Sequence, residues 1–349
     1  MPDWRVVERA VLAKAAGHGE DRLVVLEDGS GVHCAAVIDG VTDKSGRDFG
    51  GASGGAVAAD CVARTLAALP GDVTVGEAVA FITAELAELR RTWAVADDDP
   101  LAPAAVAAVV WPRRRLMWRV GDVHLAVGHL AVDPVSADPL SVDHLSADPL
   151  SVDHLSADPL SVDHLSADCL SVDCHSVGRR SRGRLRWERH VGGKLIDTVL
   201  AGARAAYLHC LLLEGQHPET LAATDPGRAL IRPVLERQAT LANRDDAGPF
   251  GYGVLDGRPV PERFIETFLL PEEAWEVVLT SDGYLGPAPN LVTAEAELRA
   301  SLQADRLRIM DHAATKGMAP DARSFDDRAY LRLSRDGYTG PADTHVPDA

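Results

Sequence analysis

Three apolar runs in this chain carry an aspartate at one end. His33-Cys-Ala-Ala-Val-Ile-Asp39-Gly40 and Trp275-Glu-Val-Val-Leu-Thr-Ser-Asp282-Gly283 close on Asp-Gly, and Ser324-Phe-Asp326-Asp327-Arg-Ala-Tyr-Leu-Arg-Leu333 opens on an acidic pair. A second acidic pair, Glu20-Asp21, stands just before the apolar run that starts at Arg22. Short β-branched runs of this kind read as strands. Carboxylates at strand ends can converge on one edge of a sheet, where they form an oxygen-rich site suited to a hard divalent cation. Asp-Gly is also a favoured turn dipeptide. Asp28, Asp39, Asp256, Asp282 and Asp336 all precede glycine, so any one of them alone reads as a turn. The order of the whole set distinguishes Asp39 and Asp282: Glu-Asp, Asp-Gly, a glycine-rich helix start, Gly-Asp, Ser-Asp-Gly, Asp-Asp.

With 349 residues and 46% hydrophobic content the chain is long and apolar enough for a sizeable core. The formal charge of −17 argues against nucleic acid or an anionic membrane as partner. No uninterrupted apolar run reaches the length of a membrane span, and the N-terminus shows no secretory pattern. Five scattered cysteines suit a reducing, cytoplasmic setting, and Cys34 and Cys61 read as small buried hydrophobes.

Periodicity places helices over 54–69 and 76–93, with Val79, Phe81, Ile82, Leu86 and Leu89 on the apolar face of the second. Strands follow over 105–111, 116–120 and 123–127, with Gly121-Asp122 as a hairpin signal between the last two. Helices are expected over 194–214 and 227–243, the latter kinked at Pro233. Strands over 250–255, 264–270 and 276–280, helices over 294–302 and 307–316, and a strand over 329–333 complete the reading. Runs of strands and runs of helices without regular alternation indicate an α+β fold.

Residues 131–175 repeat the decapeptide Ser-Val-Asp-His-Leu-Ser-Ala-Asp-Pro-Leu, with leucine and aspartate each recurring every five residues. A period of five alternates faces on a strand and drifts by about 140° per step on a helix, and Pro134, Pro139, Pro149 and Pro159 interrupt any helix. Residues 129–183 therefore read as an insertion without regular structure, and 336–349 as a flexible tail. Two sharper readings are open: metal binding by His144, His154 and His164 with Cys169 and Cys174, or a solenoid of five-residue units. The aspartates from Asp133 to Asp173 carry about half of the net charge, so the acidity says little about the rest of the chain. The basic run 179–184 follows directly and reads as a solvated counterweight.

The ordered acidic motifs resemble the metal-dependent protein phosphatase 2C family. Glu20-Asp21 resembles its early Glu-Asp, Ile38-Asp39-Gly40 its Asp-Gly, and Gly50 to Gly55 the glycines that open its next helix. Val120-Gly121-Asp122 resembles its Val-Gly-Asp, Ser281-Asp282-Gly283 its Ser-Asp-Gly, and Asp326-Asp327 its last acidic pair. The resemblance covers most of residues 5–335 apart from the insertion. It implies one domain over 1–128 and 184–335, folded as a four-layer α-β-β-α sandwich of two antiparallel sheets flanked by helices. It also implies hydrolysis of phosphoserine or phosphothreonine on a protein substrate, with two Mg²⁺ or Mn²⁺ ions. By position, Asp39 bridges both ions, Glu20 and the Gly40 carbonyl serve one, Asp282 and Asp326 serve the other, and Asp21 holds coordinated water. Asp39 and Asp282 are then the central catalytic carboxylates.

Two positions depart from that pattern. Val41 stands where the family often has a histidine able to protonate the leaving oxygen, and Ala16 where its eukaryotic members have a phosphate-gripping arginine. Lys14 is the nearby candidate for phosphate binding, as a point charge without a bidentate grip; His18 reads as a loop histidine. Two alternatives remain: a non-catalytic binding or regulatory module that keeps the phosphatase fold, and an interaction protein whose function lies in the repeat.

Overall fold

The structure, a computed structural model, describes residues 3–15, 19–42, 46–96, 99–130 and 185–335. Ala16, His18, the repeat, the basic run and the tail lie outside the described residues. The strands are β1 (Trp4–Leu12), β2 (Arg22–Asp28), β3 (Gly31–Gly40), β4 (Ala105–Trp111), β5 (Leu116–Val120), β6 (His124–Leu130), β7 (Leu185–His190), β8 (Ile265–Leu269), β9 (Ala274–Thr280) and β10 (Arg328–Arg335). They form two antiparallel five-stranded sheets, ordered β2-β3-β4-β5-β8 and β1-β10-β9-β6-β7. The helices are α1 (Gly54–Ala68), α2 (Val75–Thr92), α3 (Leu195–Leu213), α4 (Pro218–Thr224), α5 (Pro226–Arg237) and α6 (Leu291–Ala304).

The period of two along each central strand builds the layers. In β3, Ala35 and Val37 face the other sheet, whereas Cys34, Ala36 and Ile38 face α1 and α2. In β4, Val106, Ala108 and Val110 turn inward, and Ala107, Val109 and Trp111 turn to the same helices. The second sheet repeats this: Val277, Leu279, Leu331 and Leu333 fill the space between the sheets, while Val278 and Tyr330 pack under Ala294 and Leu298 of α6. Strands buried on both faces read as continuous apolar runs. The result is the expected α-β-β-α sandwich, and Cys34 and Cys61 are buried as free thiols.

Helix starts follow local chemistry. Ser53 caps α1 by accepting the Ala56 N–H, and Thr74 with Glu77 forms a capping box on α2. The long apolar α3 passes a length-and-hydropathy test for a membrane span. However, its Arg204 is fully buried, paired with Asp225 at 2.9 Å, and bonded to the carbonyls of Leu307, Arg308 and Ala314. Those bonds tie α3 to the 305–317 segment, while Val199, Tyr207 and Leu213 stay exposed.

Four expectations are corrected. Gly121-Asp122 is not a hairpin turn: β5 pairs with β4 and β8, β6 pairs with β7 and β9, so the turn carries the chain from one sheet to the other. Alternation alone cannot tell a hairpin from such a crossing. Residues 250–255 make only isolated bridges, Ala105 to Leu255 and Ala242 to Tyr252. The helix over 227–243 stops at Arg237, giving way to a tighter turn, and α4 precedes it. Residues 307–316 form turns rather than a helix. Arg308 is left-handed at φ 54°, Asp305 accepts the backbone N–H groups of Ile309 and Met310, and Arg204 draws off the carbonyls a helix would use. The strand expected over 123–127 is present as β6 and runs on to Leu130.

Candidate metal and phosphate site

Strand register brings the acidic motifs together. In the first sheet Arg22 pairs with Ile38, which sets Asp21 across from the end of β3 at Asp39, and Gly40 pairs with Ala105. In the second sheet Tyr330 pairs with Thr280, and His124 pairs with Thr280 on its other side. Asp282 just past the end of β9, Asp326 and Asp327 just before the start of β10, and Asp122 in the crossing therefore lie at one end of that sheet. Leu12 pairs with Arg328, so Lys14 leaves β1 at the same end. Alternation turns Asp39 to the inner face, in phase with Ala35 and Val37.

Hydrogen bonds fix the individual groups. Ser281 donates its hydroxyl hydrogen to Asp21 at 2.6 Å and accepts the Ala329 N–H at 2.8 Å. Glu20 accepts from Ser53 at 2.5 Å on one oxygen and from Thr42 at 3.0 Å on the other. Asp327 accepts the backbone N–H groups of Lys14 at 2.7 Å and Glu20 at 3.1 Å, clasping the β1–β2 connection. A Cβ at Gly55 would stand 2.7 Å from the Val41 carbonyl and 2.8 Å from a Glu20 carboxylate oxygen, and one at Gly40 would stand 2.4 Å from the Gly55 carbonyl. Glycine at both positions lets the start of α1 seat directly on the end of β3.

The carboxylates divide into two groups by their countercharges. Burial, with Asp282, Asp326 and Asp327 close by, pushes Asp21 up to about 7 despite the Ser281 bond. Burial, with Asp326 and Asp122 close by, pushes Asp282 up to about 7. Burial and the neighbouring Asp21, Asp282, Asp326 and Asp122 hold Asp39 well above the usual carboxylate range. Asp122 and Asp326 behave oppositely. Burial disfavours their charge, but Lys194 at 2.8 Å holds Asp122 low, and Lys316 and Lys14 hold Asp326 low. Lys14 lies 3.2 Å from Asp326, 3.4 Å from Asp327 and 3.7 Å from Glu20, and Lys316 contacts the other oxygen of Asp326. Burial likewise works against Lys14, and these carboxylates raise it.

Glu20, Asp21, Asp39, Gly40, Asp282, Asp326 and Lys14 thus sit at one end of the sandwich, although among the described residues no three His, Cys, Asp or Glu side chains close into a metal-ligating group. The fit to a divalent cation differs across the site. Asp39 and Asp282 present carboxylates that no hydrogen bond or ion pair among the described residues engages, an oxygen set that suits Mg²⁺ or Mn²⁺. Asp326 is engaged on both oxygens by ammonium groups. Sequence reasoning passed over Lys316 and Lys194. Lys316 lay in an expected helix with nothing to mark it, and Lys194 at an expected helix start.

No family model matches the chain, and no curated protein matches it. Solved structures do. The serine/threonine phosphatase Stp1 from Staphylococcus aureus matches at 12% identity and a TM-score of 0.41, over 97% of this chain and 96% of that one. The Mycobacterium tuberculosis serine/threonine phosphatase PstP/Ppp matches at 14% identity and a TM-score of 0.38, over 95% of this chain and 99% of that one. The catalytic domain of PstP in complex with two manganese ions matches at 13% identity and a TM-score of 0.38, over 94% and 98%. These three similarities run across nearly the whole chain at low identity.

Proposed function

We propose that the chain is a Mg²⁺- or Mn²⁺-dependent phosphatase that hydrolyses phosphoserine or phosphothreonine esters on proteins. One observation carries this reading: the strand register gathers Asp21, Asp39 and Asp282 at one edge of the sandwich, where burial first and the surrounding carboxylates second raise the proton affinity of each. Such mutual repulsion is relieved by a bound cation. Asp39 and Asp282 would hold it, with the Gly40 carbonyl and Glu20 as further oxygens and Asp21 behind them, kept in place by Ser281. When bound, a divalent cation supplies a water of lowered pKa and charge neutralisation at the phosphoryl oxygens.

The chain's own groups have separate tasks. Ser53 and Thr42 orient Glu20, and Lys14 offers positive charge to an incoming phosphate from beside Asp326 and Asp327. Val41 packs its side chain against the inter-sheet core and has no proton to give a departing alkoxide. Two ions, as the motif resemblance implies, would require Asp326 to exchange its lysine partners for metal.

The test is release of inorganic phosphate from a phosphothreonine peptide by the whole chain, with Mn²⁺ and with a chelator. Release that requires Mn²⁺ supports the reading. Absence of release under both conditions supports the binding-module alternative instead.

A further inference from the structure

Two lysines meet on one aspartate at the edge of the carboxylate cluster. The Lys14 ammonium contacts one oxygen of Asp326 at 3.2 Å and also reaches Asp327 and Glu20; the Lys316 ammonium contacts the other oxygen. Neither lysine hangs on a free backbone. The Lys14 N–H donates to Asp327 at 2.7 Å, and its carbonyl accepts the Arg323 N–H at 2.8 Å, so both sides of the residue are tied to the segment that carries Asp326. Lys316 follows Thr315, whose carbonyl accepts from Arg228 at 2.9 Å, and precedes Gly317, which packs against the buried Arg204. Two ammonium groups carry the same charge as one divalent cation and, placed on Asp326, they repel another.

Asp39 and Asp282 differ. No hydrogen bond or ion pair among the described residues engages their carboxylates, and Asp21 behind them is bonded by Ser281 rather than by a cation. The cluster therefore has ammonium groups seated directly on Asp326, whereas Lys316 and Lys194 act on Asp282 only from a distance and Lys194 is paired with Asp122.

We propose that Lys14 and Lys316 take the place of a second cation at Asp326, so that the folded chain binds one divalent cation, on Asp39 and Asp282, instead of two. The inference rests on the metal-dependent reading above and changes its stoichiometry. It gives the lysines two tasks: neutralising Asp326 and holding positive charge where a phosphate would dock.

The experiment is equilibrium dialysis of the whole chain against Mn²⁺, without substrate, followed by metal analysis. One ion per chain is expected for the wild type, and two for a variant carrying Lys14→Met and Lys316→Met. Asp326→Asn in the otherwise native chain is expected to leave the single ion bound, and it carries the test if the lysine variant fails to fold. Two ions in the wild type, one ion in a folded lysine variant, or loss of the ion in Asp326→Asn each overturns the proposal while leaving metal dependence intact. No ion in any of the proteins overturns the metal-dependent reading as well.

Discussion

The Ser281 hydroxyl bonds the Asp21 carboxylate at 2.6 Å, joining two residues 260 positions apart and the two sheets of the sandwich. The same hydroxyl accepts the Ala329 N–H, so the start of β10 is fixed by the bond that orients Asp21. Ser281 is fully buried, and a change there reaches the site through Asp21. Ser281→Ala is expected to weaken Mn²⁺ binding about 10- to 100-fold, the range for loss of a partner that orients a metal's surroundings. Calorimetric titration with Mn²⁺ measures it, and an unchanged affinity would show that Asp21 needs no such support.

Asp21 and Asp282 are pushed up to about 7, by burial first and by neighbouring carboxylates second. Between the ordinary carboxylate range and about pH 7 the folded, metal-free chain holds protons that the unfolded chain has released. Its stability therefore falls as pH rises through that window. His124, pushed down by burial to about 4, contributes in the opposite direction. Asp282→Asn removes one falling contribution and leaves that of His124. Melting in chelator at about pH 5 and about pH 8 should thus show a larger drop for the wild type than for Asp282→Asn. An equal or smaller drop in the wild type contradicts the assignment.

Gly55 sits where the start of α1 meets the end of β3. A methyl group there would press on the Val41 carbonyl at 2.7 Å and on Glu20 at 2.8 Å. The nearest neighbours are backbone and an oriented carboxylate, so relief requires moving α1. Gly55→Ala is expected to cost about 1–3 kcal/mol in denaturant unfolding, as overpacking does. A neutral result would mean that α1 shifts freely.

Much of this arrangement can be read in the residues themselves. The apolar runs ending at Asp39 and Asp282 name β3 and β9, because they are short, rich in β-branched residues and closed by an Asp-Gly turn signal. The helical spacing over 54–69 marks α1, which ends one residue earlier. Pairing across sheets is not readable in the same way. Gly121-Asp122 has hairpin chemistry, yet it joins strands of different sheets, a choice made by the core between them. Residues 307–316 have helical spacing, but Asp305 and the buried Arg204 claim their backbone groups from outside the segment. Lys316 reaches Asp326 only because that segment turns back.

Val41 leaves the position after Asp39-Gly40 without a proton donor, so the leaving group should matter. Aryl phosphates, which depart without protonation, are expected to turn over faster than phosphoserine peptides. Val41→His should raise phosphoserine turnover by about 100-fold, the lower end of what a positioned acid contributes, with little effect on the aryl ester. Steady-state kinetics on both substrates checks this, and equal gains on the two esters would contradict it.

The account turns on Asp39 and Asp282 as the carboxylates that hold the cation. The most direct measurement is Mn²⁺-dependent phosphate release by Asp39→Asn and Asp282→Asn, alongside their circular dichroism and melting in chelator. The account predicts folded variants that melt no lower than the wild type near neutral pH, because a neutral amide replaces a carboxyl whose ionisation burial and its neighbours disfavour, and that lose metal-dependent release. A folded variant that keeps wild-type release would show that the cation, and the chemistry, lie elsewhere.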